Sequence, residues 1–262
     1  AKVWDLYLQN FRDHRIAPYG FWQKGINVRF TGLDWTGGEV MSEGAPEGER
    51  CLKVVDEQND GTPGANSKVF AVEPTARYTL SYKVKTGEVE QKYLLTFQSY
   101  DQDGAWISGH NLDIAQTGSG EWEDKELSFV PSERSPDARS LQLVIRPVPW
   151  TEDGNAMGTA LFDSIRLVKD GAEDNVLGDG SFEKGLGDVH PEIDFAAWDR
   201  EAEKCLDGYK FSSFALPLQG MGGGTFYSRQ AGQIGPYQQG TPEYRRLFGE
   251  YAGQLQEHLE QK

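Results

Sequence analysis

The sequence predicts a mostly β protein: a jelly-roll-like β-sandwich over residues 26–186, flanked by α/β segments at 1–25 and 187–262. Three observations predict it. Short runs with alternating apolar residues recur through the middle of the chain between Gly, Pro, Asn and Asp clusters. Helical spacing of apolar residues is confined to the two ends. The 31 Gly and 12 Pro supply the many turns that an all-β region needs.

At the N-terminus, Val3, Leu6, Tyr7 and Phe11 follow helical spacing over residues 1–16, and Pro18 ends the pattern. The predicted strands are Ile26–Phe30, Cys51–Val55, Ser67–Val72, Tyr78–Lys85, Tyr93–Tyr100, Trp122–Val130, Leu141–Val148 and Ala160–Val168. Turn clusters at Asn59-Asp60-Gly61, Asp101–Gly104 and Asp153-Gly154-Asn155 separate them without intervening helix patterns, which points to a sandwich. Beyond it, Asp194 is placed to cap a helix carrying Phe195, Trp198, Ala202 and Leu206, with Gly208 past its end. Phe211–Leu218 reads as a buried strand and Gly220–Gly224 as a glycine-rich loop. The last helix starts at Thr241-Pro242 and has an apolar stripe of Tyr244, Leu247, Phe248, Tyr251, Leu255 and Leu259. Neither flank has enough strands to close a sheet.

The net charge is −15, from 26 Lys and Arg against 41 Asp and Glu. Phosphate-rich partners reward clustered cations, so nucleic acid and anionic membrane surfaces are excluded as partners. Neutral polysaccharides are not. No apolar run approaches the ~20 residues of a membrane span. Cys51 and Cys205 have neither a redox nor a zinc spacing, and buried thiols or a disulfide are both open. The four histidines, 14, 110, 190 and 258, are scattered and read as surface or helix-end residues. The chain opens without a signal peptide's charged and apolar regions and ends inside a helical pattern, so both ends read as cut from a longer protein.

Strand alternation gives a candidate binding face. On Tyr93–Tyr100, Tyr93, Leu95 and Phe97 share an apolar side, leaving Thr96, Gln98 and Tyr100 on the other. On Leu141–Val148, Gln142, Val144 and Arg146 oppose Leu141, Leu143 and Ile145. A sheet face offering amides, a guanidinium and flat rings suits sugars, which present hydroxyls at their rim and apolar C–H faces. The candidate carbohydrate-binding residues are Gln98, Tyr100, Trp106, Gln142, Arg146 and Trp150, with both Trp residues in or beside loops. Trp122, at a strand start, reads as core.

The same zone carries an ordered set of motifs: Tyr78-Thr-Leu-Ser-Tyr-Lys-Val-Lys85, Thr117-Gly-Ser-Gly-Glu-Trp122, Phe129-Val-Pro131 and Ala160-Leu-Phe-Asp163-Ser-Ile-Arg-Leu167. Their order resembles the β-sandwich carbohydrate-binding modules of the family 4, 9 and 22 type. Ser164 departs from the second Asp common in that motif. The resemblance implies a structural calcium using Asp163, with Glu39 as a candidate second ligand. Gly178-Asp-Gly-Ser-Phe-Glu183 is similar to the opening of such modules but stands here at the end of the zone.

The flanks carry a second resemblance. Asp5–Ile16 with Pro18-Tyr19, Tyr209–Pro217, Gly222–Arg229, Ile234-Gly-Pro-Tyr237 and Gly240–Tyr244 resemble the early barrel region of glycoside hydrolases related to family 123. Tyr227 stands where that pattern expects His. The resemblance implies a partial (β/α) barrel around the sandwich, without the later strand that carries the Asp-Glu catalytic pair. No phosphate-binding loop, nucleophile elbow or HExxH motif is present.

The expected function is therefore non-catalytic binding of polysaccharide or oligosaccharide by a module of a larger glycoside hydrolase, with no catalytic residue in this chain. A competent hydrolase completed elsewhere and a structural or oligomerisation module are the alternatives. Extracellular or periplasmic residence follows from the substrate class. Homo-oligomer contact is expected through the helices of the barrel fragment, whose apolar residues Leu247, Phe248, Tyr251 and Leu255 need partners.

Overall fold

The computed structural model describes residues 9, 13, 27–57, 63–150, 156–208 and 242–261. The expected strand Phe211–Leu218, the loop Gly220–Gly224 and most of the N-terminal helix lie outside the described residues. The chain divides into two compact units. One comprises Gly32–Val189; the other draws on Ala1–Thr31 and on residues from His190 onward.

The Gly32–Val189 unit is a sandwich of two antiparallel sheets, so the protein is mostly β. Along the whole chain the strands are β1 (Asn27–Leu33), β2 (Trp35–Thr36), β3 (Glu39–Met41), β4 (Cys51–Asp56), β5 (Ala65–Ser67), β6 (Phe70–Ala71), β7 (Tyr78–Thr86), β8 (Lys92–Tyr100), β9 (Leu112–Thr117), β10 (Glu123–Phe129), β11 (Ser140–Arg146), β12 (Gly158–Lys169) and β13 (Gly187–Asp194), as far as the described residues go. One sheet runs β10-β7-β12-β4-β3. The other runs β2-β5-β11-β8-β9, with β6 also paired to β11. β1 and β13 pair separately.

Alternation places the core. On β7, Tyr78, Leu80, Tyr82 and Val84 are buried while the residues between them are half-buried. On β8, Tyr93, Leu95 and Phe97 face inward. The two inner faces meet through aromatic rings: Tyr82 with Tyr93 at 6.4 Å between centroids, Tyr93 with Phe162 at 5.8 Å, and Phe97 with Phe129 at 4.4 Å. Burying each such side chain contributes roughly 1.5–3 kcal/mol. Tyr82 and Tyr93 also hydrogen-bond each other's hydroxyl at 3.0 Å, which satisfies two phenols inside an apolar core.

A register shift between Asp163 and Arg166 interrupts β12. Before it, Ala160 and Phe162 point into the core; after it, Ile165 and Leu167 do. The bulge turns the strand by one residue and leaves Asp163 on the side away from the core. Ser164 takes a positive φ of 51° there.

Several expectations shift. Ser67–Val72 is two short strands, β5 and β6, broken by Lys68 and Val69. β2, β3, β9 and β13 were not among the predicted strands. Trp122, expected in the core, is half-buried immediately before β10, and its indole N–H donates to the Gly44 carbonyl at 3.0 Å. The parity of β10 explains this, because Leu127 and Phe129 take the inward positions.

In the other unit, Asp194 Oδ1 accepts from the Ala196 N–H at 2.9 Å and caps α2 (Ala196–Glu203), as expected. α2 follows the four-residue α1 (Pro131–Arg134) of the sandwich and runs into a wider helical turn at Lys204–Gly208. The last helix is α3 (Pro242–Glu260), with Leu247, Tyr251 and Leu255 buried. These residues were expected to present an uncovered apolar face; the chain itself covers them. Two histidines pair with carboxylates here: His190 Nδ1 with Glu250 Oε2 at 3.0 Å, and His258 Nε2 with Asp199 Oδ1 at 2.6 Å. No described helix is long and apolar enough to cross a membrane.

Candidate functional site: the outer face of the β8–β11 sheet

The outer face of the six-stranded sheet brings together four of the candidate residues. β8 and β11 pair with Gln98 opposite Gln142 and Val144 opposite Thr96. The Tyr100 hydroxyl lies 3.2 Å from Gln98 Oε1 and 3.1 Å from Gln142 Oε1. Gln142 Nε2 donates to the Ser67 carbonyl at 2.8 Å, which fixes its oxygen toward Tyr100. A hydroxyl has one proton to donate. The row is fully satisfied when Tyr100 donates to Gln142 and the Gln98 amide turns its NH2 group toward the Tyr100 oxygen. That orientation leaves the Gln98 carbonyl oxygen facing solvent as an acceptor.

A second row runs beside the first. Thr96 Oγ1 donates to Asp113 Oδ1 at 2.7 Å and accepts from Arg146 Nη1 at 3.1 Å. Burial disfavours the Arg146 charge and lowers its pKa, and the Asp113 carboxylate opposes that shift. Burial likewise raises the Tyr100 pKa, keeping its hydroxyl protonated.

Trp106 lies in the β8–β9 loop and is 53% exposed. It forms a bridge with Tyr100 at the end of the face, and its indole N–H donates to Asn111 Oδ1 at 3.1 Å. The loop is held by its own bonds. Asp101 Oδ1 accepts from the Asp103 and Ala105 N–H groups, and the Arg134 guanidinium donates to the Gly109 and Asn111 carbonyls. Trp150, the sixth candidate, is 64% exposed in the loop after β11 and joins neither row.

Asp113 and Asn111 were missed in the sequence. The available signal was the alternation of Leu112, Ile114 and Gln116 against Asp113, Ala115 and Thr117, which makes β9 a strand and puts Asp113 beside Thr96. Lys83 lies on the outer face of the other sheet, opposite Asp124, to which its ammonium donates.

Asp163 is fully buried beneath the segment preceding β4. Its Oδ1 accepts from the Ser164 N–H at 2.6 Å, while Oδ2 has no hydrogen-bond partner. Burial pushes its pKa up to about 6, against the Ser164 and Glu47 backbone N–H groups; Glu47 and Glu183 add like charge. Both neighbours are otherwise engaged. Glu47 takes the Ser164 hydroxyl at 2.9 Å and Lys83 at 3.2 Å, and Glu183 takes the Glu49 and Arg50 N–H groups. Glu39 is exposed on β3 opposite Lys53, two strands from β12, and is not brought to Asp163. Among the described residues no three His, Cys, Asp or Glu side chains are grouped to hold a metal ion. The unpartnered Asp163 oxygen fits a cation as partner, whereas Glu39 does not fit as its co-ligand. Cys51, across from Asp163, is a buried free thiol whose pKa burial raises to about 11.

A pocket of about 430 Å³ in the other unit is lined by Val28, Arg29, Glu192, Ile193 and Asp194. It contains none of the candidate residues, and its Arg29 is paired with Glu192.

No protein-family model matches the sequence, and no curated protein sequence matches it. Solved structures do. The enzymatically active domain of tailspike protein 4 from bacteriophage CBA120 matches over 56% of this chain and 19% of that one, at 10% identity and a TM-score of 0.38. The CBM22-2 xylan-binding domain from Paenibacillus barcinonensis matches over 61% and 96%, at 16% identity and a TM-score of 0.40. The CBM22-1 domain of the same protein matches over 55% and 95%, at 15% identity and a TM-score of 0.39. At these values the likeness carries no argument about function, and the sandwich stands on its own strand order. The family-123-like barrel finds no support in these matches; most of its motifs lie outside the described residues.

Proposed function

We propose that the sandwich binds polysaccharide or oligosaccharide, without catalysis, on the outer face of the β8–β11 sheet. The observation that carries this reading is the row Gln98–Tyr100–Gln142, held by mutual hydrogen bonds beside the exposed ring of Trp106. The amides and phenol are preorganised, so binding costs little side-chain ordering. The indole offers a flat apolar surface for a sugar's C–H face, and Gln98 and Arg146 keep polar capacity for hydroxyls.

Titration calorimetry or affinity electrophoresis of the full chain with neutral glucans, xylans and galactans tests the reading. One glycan binds, and Trp106→Ala weakens it by about tenfold, or 1.4 kcal/mol. Absence of binding to every glycan removes the proposal. Release of reducing sugar, abolished by a single carboxylate substitution, favours the hydrolase alternative instead.

The wider setting belongs to the same proposal: a module of a larger glycoside hydrolase, acting outside the cell or in the periplasm, where its polymer is found. Homo-oligomer contact through the flanking helices belongs to the proposal as well; it would rest on the residues of α3 that stay accessible, such as Leu259, since Leu247, Tyr251 and Leu255 are buried. Calcium at Asp163 is proposed as a structural ion with Asp163 as the assigned ligand. It would neutralise the buried carboxylate and tie the segment before β4 to the bulge of β12.

A further inference from the structure

The row Asp113–Thr96–Arg146 has chemistry that the first row lacks. Thr96 is only 3% exposed, and its hydroxyl is used on both sides: it donates to Asp113 and accepts from Arg146. It therefore has little left for a ligand. It works as a spacer that holds a carboxylate and a guanidinium next to each other on the outer face. Asp113 is exposed on the edge strand β9, and Arg146 uses one of its five N–H donors in its bond to Thr96. Both groups keep spare capacity toward solvent, one as acceptor only and the other as donor only.

Adjacent hydroxyls on a sugar ring meet that arrangement. One donates to the carboxylate while its neighbour accepts from the guanidinium, and both bonds are strengthened by the protein's charge. A uronate differs. Its carboxylate would gain from Arg146, but Asp113 already balances that cation and repels a second anion beside it. Lys83 cannot help, being on the other sheet. The chain's net charge of −15 opposes a polyanion at longer range as well.

We propose that Asp113 is a specificity-determining residue of this face: joined to Arg146 through Thr96, it selects an uncharged sugar with adjacent hydroxyls over a uronate. The inference rests on the reading that this face binds glycan.

The test is titration calorimetry of the full chain with matched probes, galactan against polygalacturonate and xylan against glucuronoxylan. The parent prefers the neutral member, and the preference shrinks as salt screens the charges. Asp113→Asn weakens the neutral ligand by about three- to tenfold and moves the neutral-to-uronate ratio toward one, which a loss of fold would not do. Asp113→Glu keeps the preference, and melting curves of both variants check that the exposed edge tolerates them. If a glycan binds on this face and Asp113→Asn leaves the ratio where it was, the inference is overturned while the binding reading stands. If no glycan binds, both fall together.

Discussion

The Tyr100 hydroxyl donates to Gln142 Oε1 at 3.1 Å, tying the end of β8 to β11 across the outer face of the sheet. Both residues come from strands whose other faces build the aromatic core, so the position of the polar row is set by packing on the opposite side. Removing the hydroxyl with Tyr100→Phe should cost about 0.5–1.5 kcal/mol of stability, the ordinary contribution of one hydrogen bond. It should also free Gln98 to turn and weaken glycan binding several-fold. Calorimetry that finds the affinity unmoved would exclude this row from the binding surface.

Trp106 separates stability from recognition. Its ring is 53% exposed, so Trp106→Ala should leave the melting temperature nearly unchanged. Loss of a stacking ring should cost on the order of 1–2 kcal/mol of binding. Asn111→Ala, which removes the acceptor of the indole N–H, should weaken binding less, because the ring stays but is no longer held. An affinity loss from Asn111→Ala larger than that from Trp106→Ala would contradict this order.

The fold was legible where alternation was strong. Tyr78–Lys85 alternates without interruption and its inward residues are the ones buried; on Tyr93–Tyr100 the inward Tyr93, Leu95 and Phe97 are buried too, with Thr96 the one outward residue also covered. The same alternation put Gln98, Tyr100, Gln142 and Arg146 on one outer face. What could not be read was pairing between strands. β2 and β3 span only two and three residues, too short for a period to register. Asp113 enters the face only through its register opposite Thr96, which depends on how an edge strand docks. The bulge at Asp163 was equally hidden, because a sequence run of apolar residues does not announce where its parity changes. Trp122 shows the converse: an aromatic at a strand start suggests core, but the inward positions of β10 belong to Leu127 and Phe129.

Two glycines should respond oppositely to alanine. A Cβ at Gly180 would overlap the Ile165 carbonyl oxygen, on backbone that also accepts the Ile165 N–H at 2.8 Å. Neither partner can move without breaking the bulge that redirects β12. Gly180→Ala should destabilise by more than about 2 kcal/mol. A Cβ at Gly249, inside α3, meets nothing within 4 Å. Gly249→Ala should stabilise by roughly 0.5–1 kcal/mol through helix propensity and a less flexible unfolded chain. Chemical denaturation of the two variants beside the parent measures both signs.

Cys51 should be inert. It is fully buried and its thiol pKa is raised to about 11, so the reactive thiolate is scarce at neutral pH. A thiol reagent at pH 8 should label it only as fast as the protein unfolds. Rapid labelling at that position under native conditions would show that the segment before β4 opens readily.

Asp163 distinguishes a proton from a cation as the partner of its unsatisfied oxygen. Its folded pKa is raised from 3.8 to about 6, mainly by burial. A group shifted in that direction binds its proton more tightly in the folded state, so its contribution is present at low pH and is lost as pH rises through about 4 to 6. The shift of about two units corresponds to an upper bound near 3 kcal/mol. Other carboxylates act oppositely: Glu47 and Glu250 have lowered pKa values and lose stability on acidification. The informative quantity is therefore the difference between the parent and Asp163→Asn, not the parent's curve alone. With chelator present, Asp163→Asn should be the more stable protein at pH 7 and should lose that advantage near pH 4, where the parent's carboxyl is protonated. With calcium added at pH 7, the parent should gain melting temperature by mass action and the variant should not. A calcium effect of equal size in both proteins would place the ion elsewhere, and a pH-independent difference between them would mean that Asp163 is not the buried carboxylate with one unsatisfied oxygen that its surroundings describe.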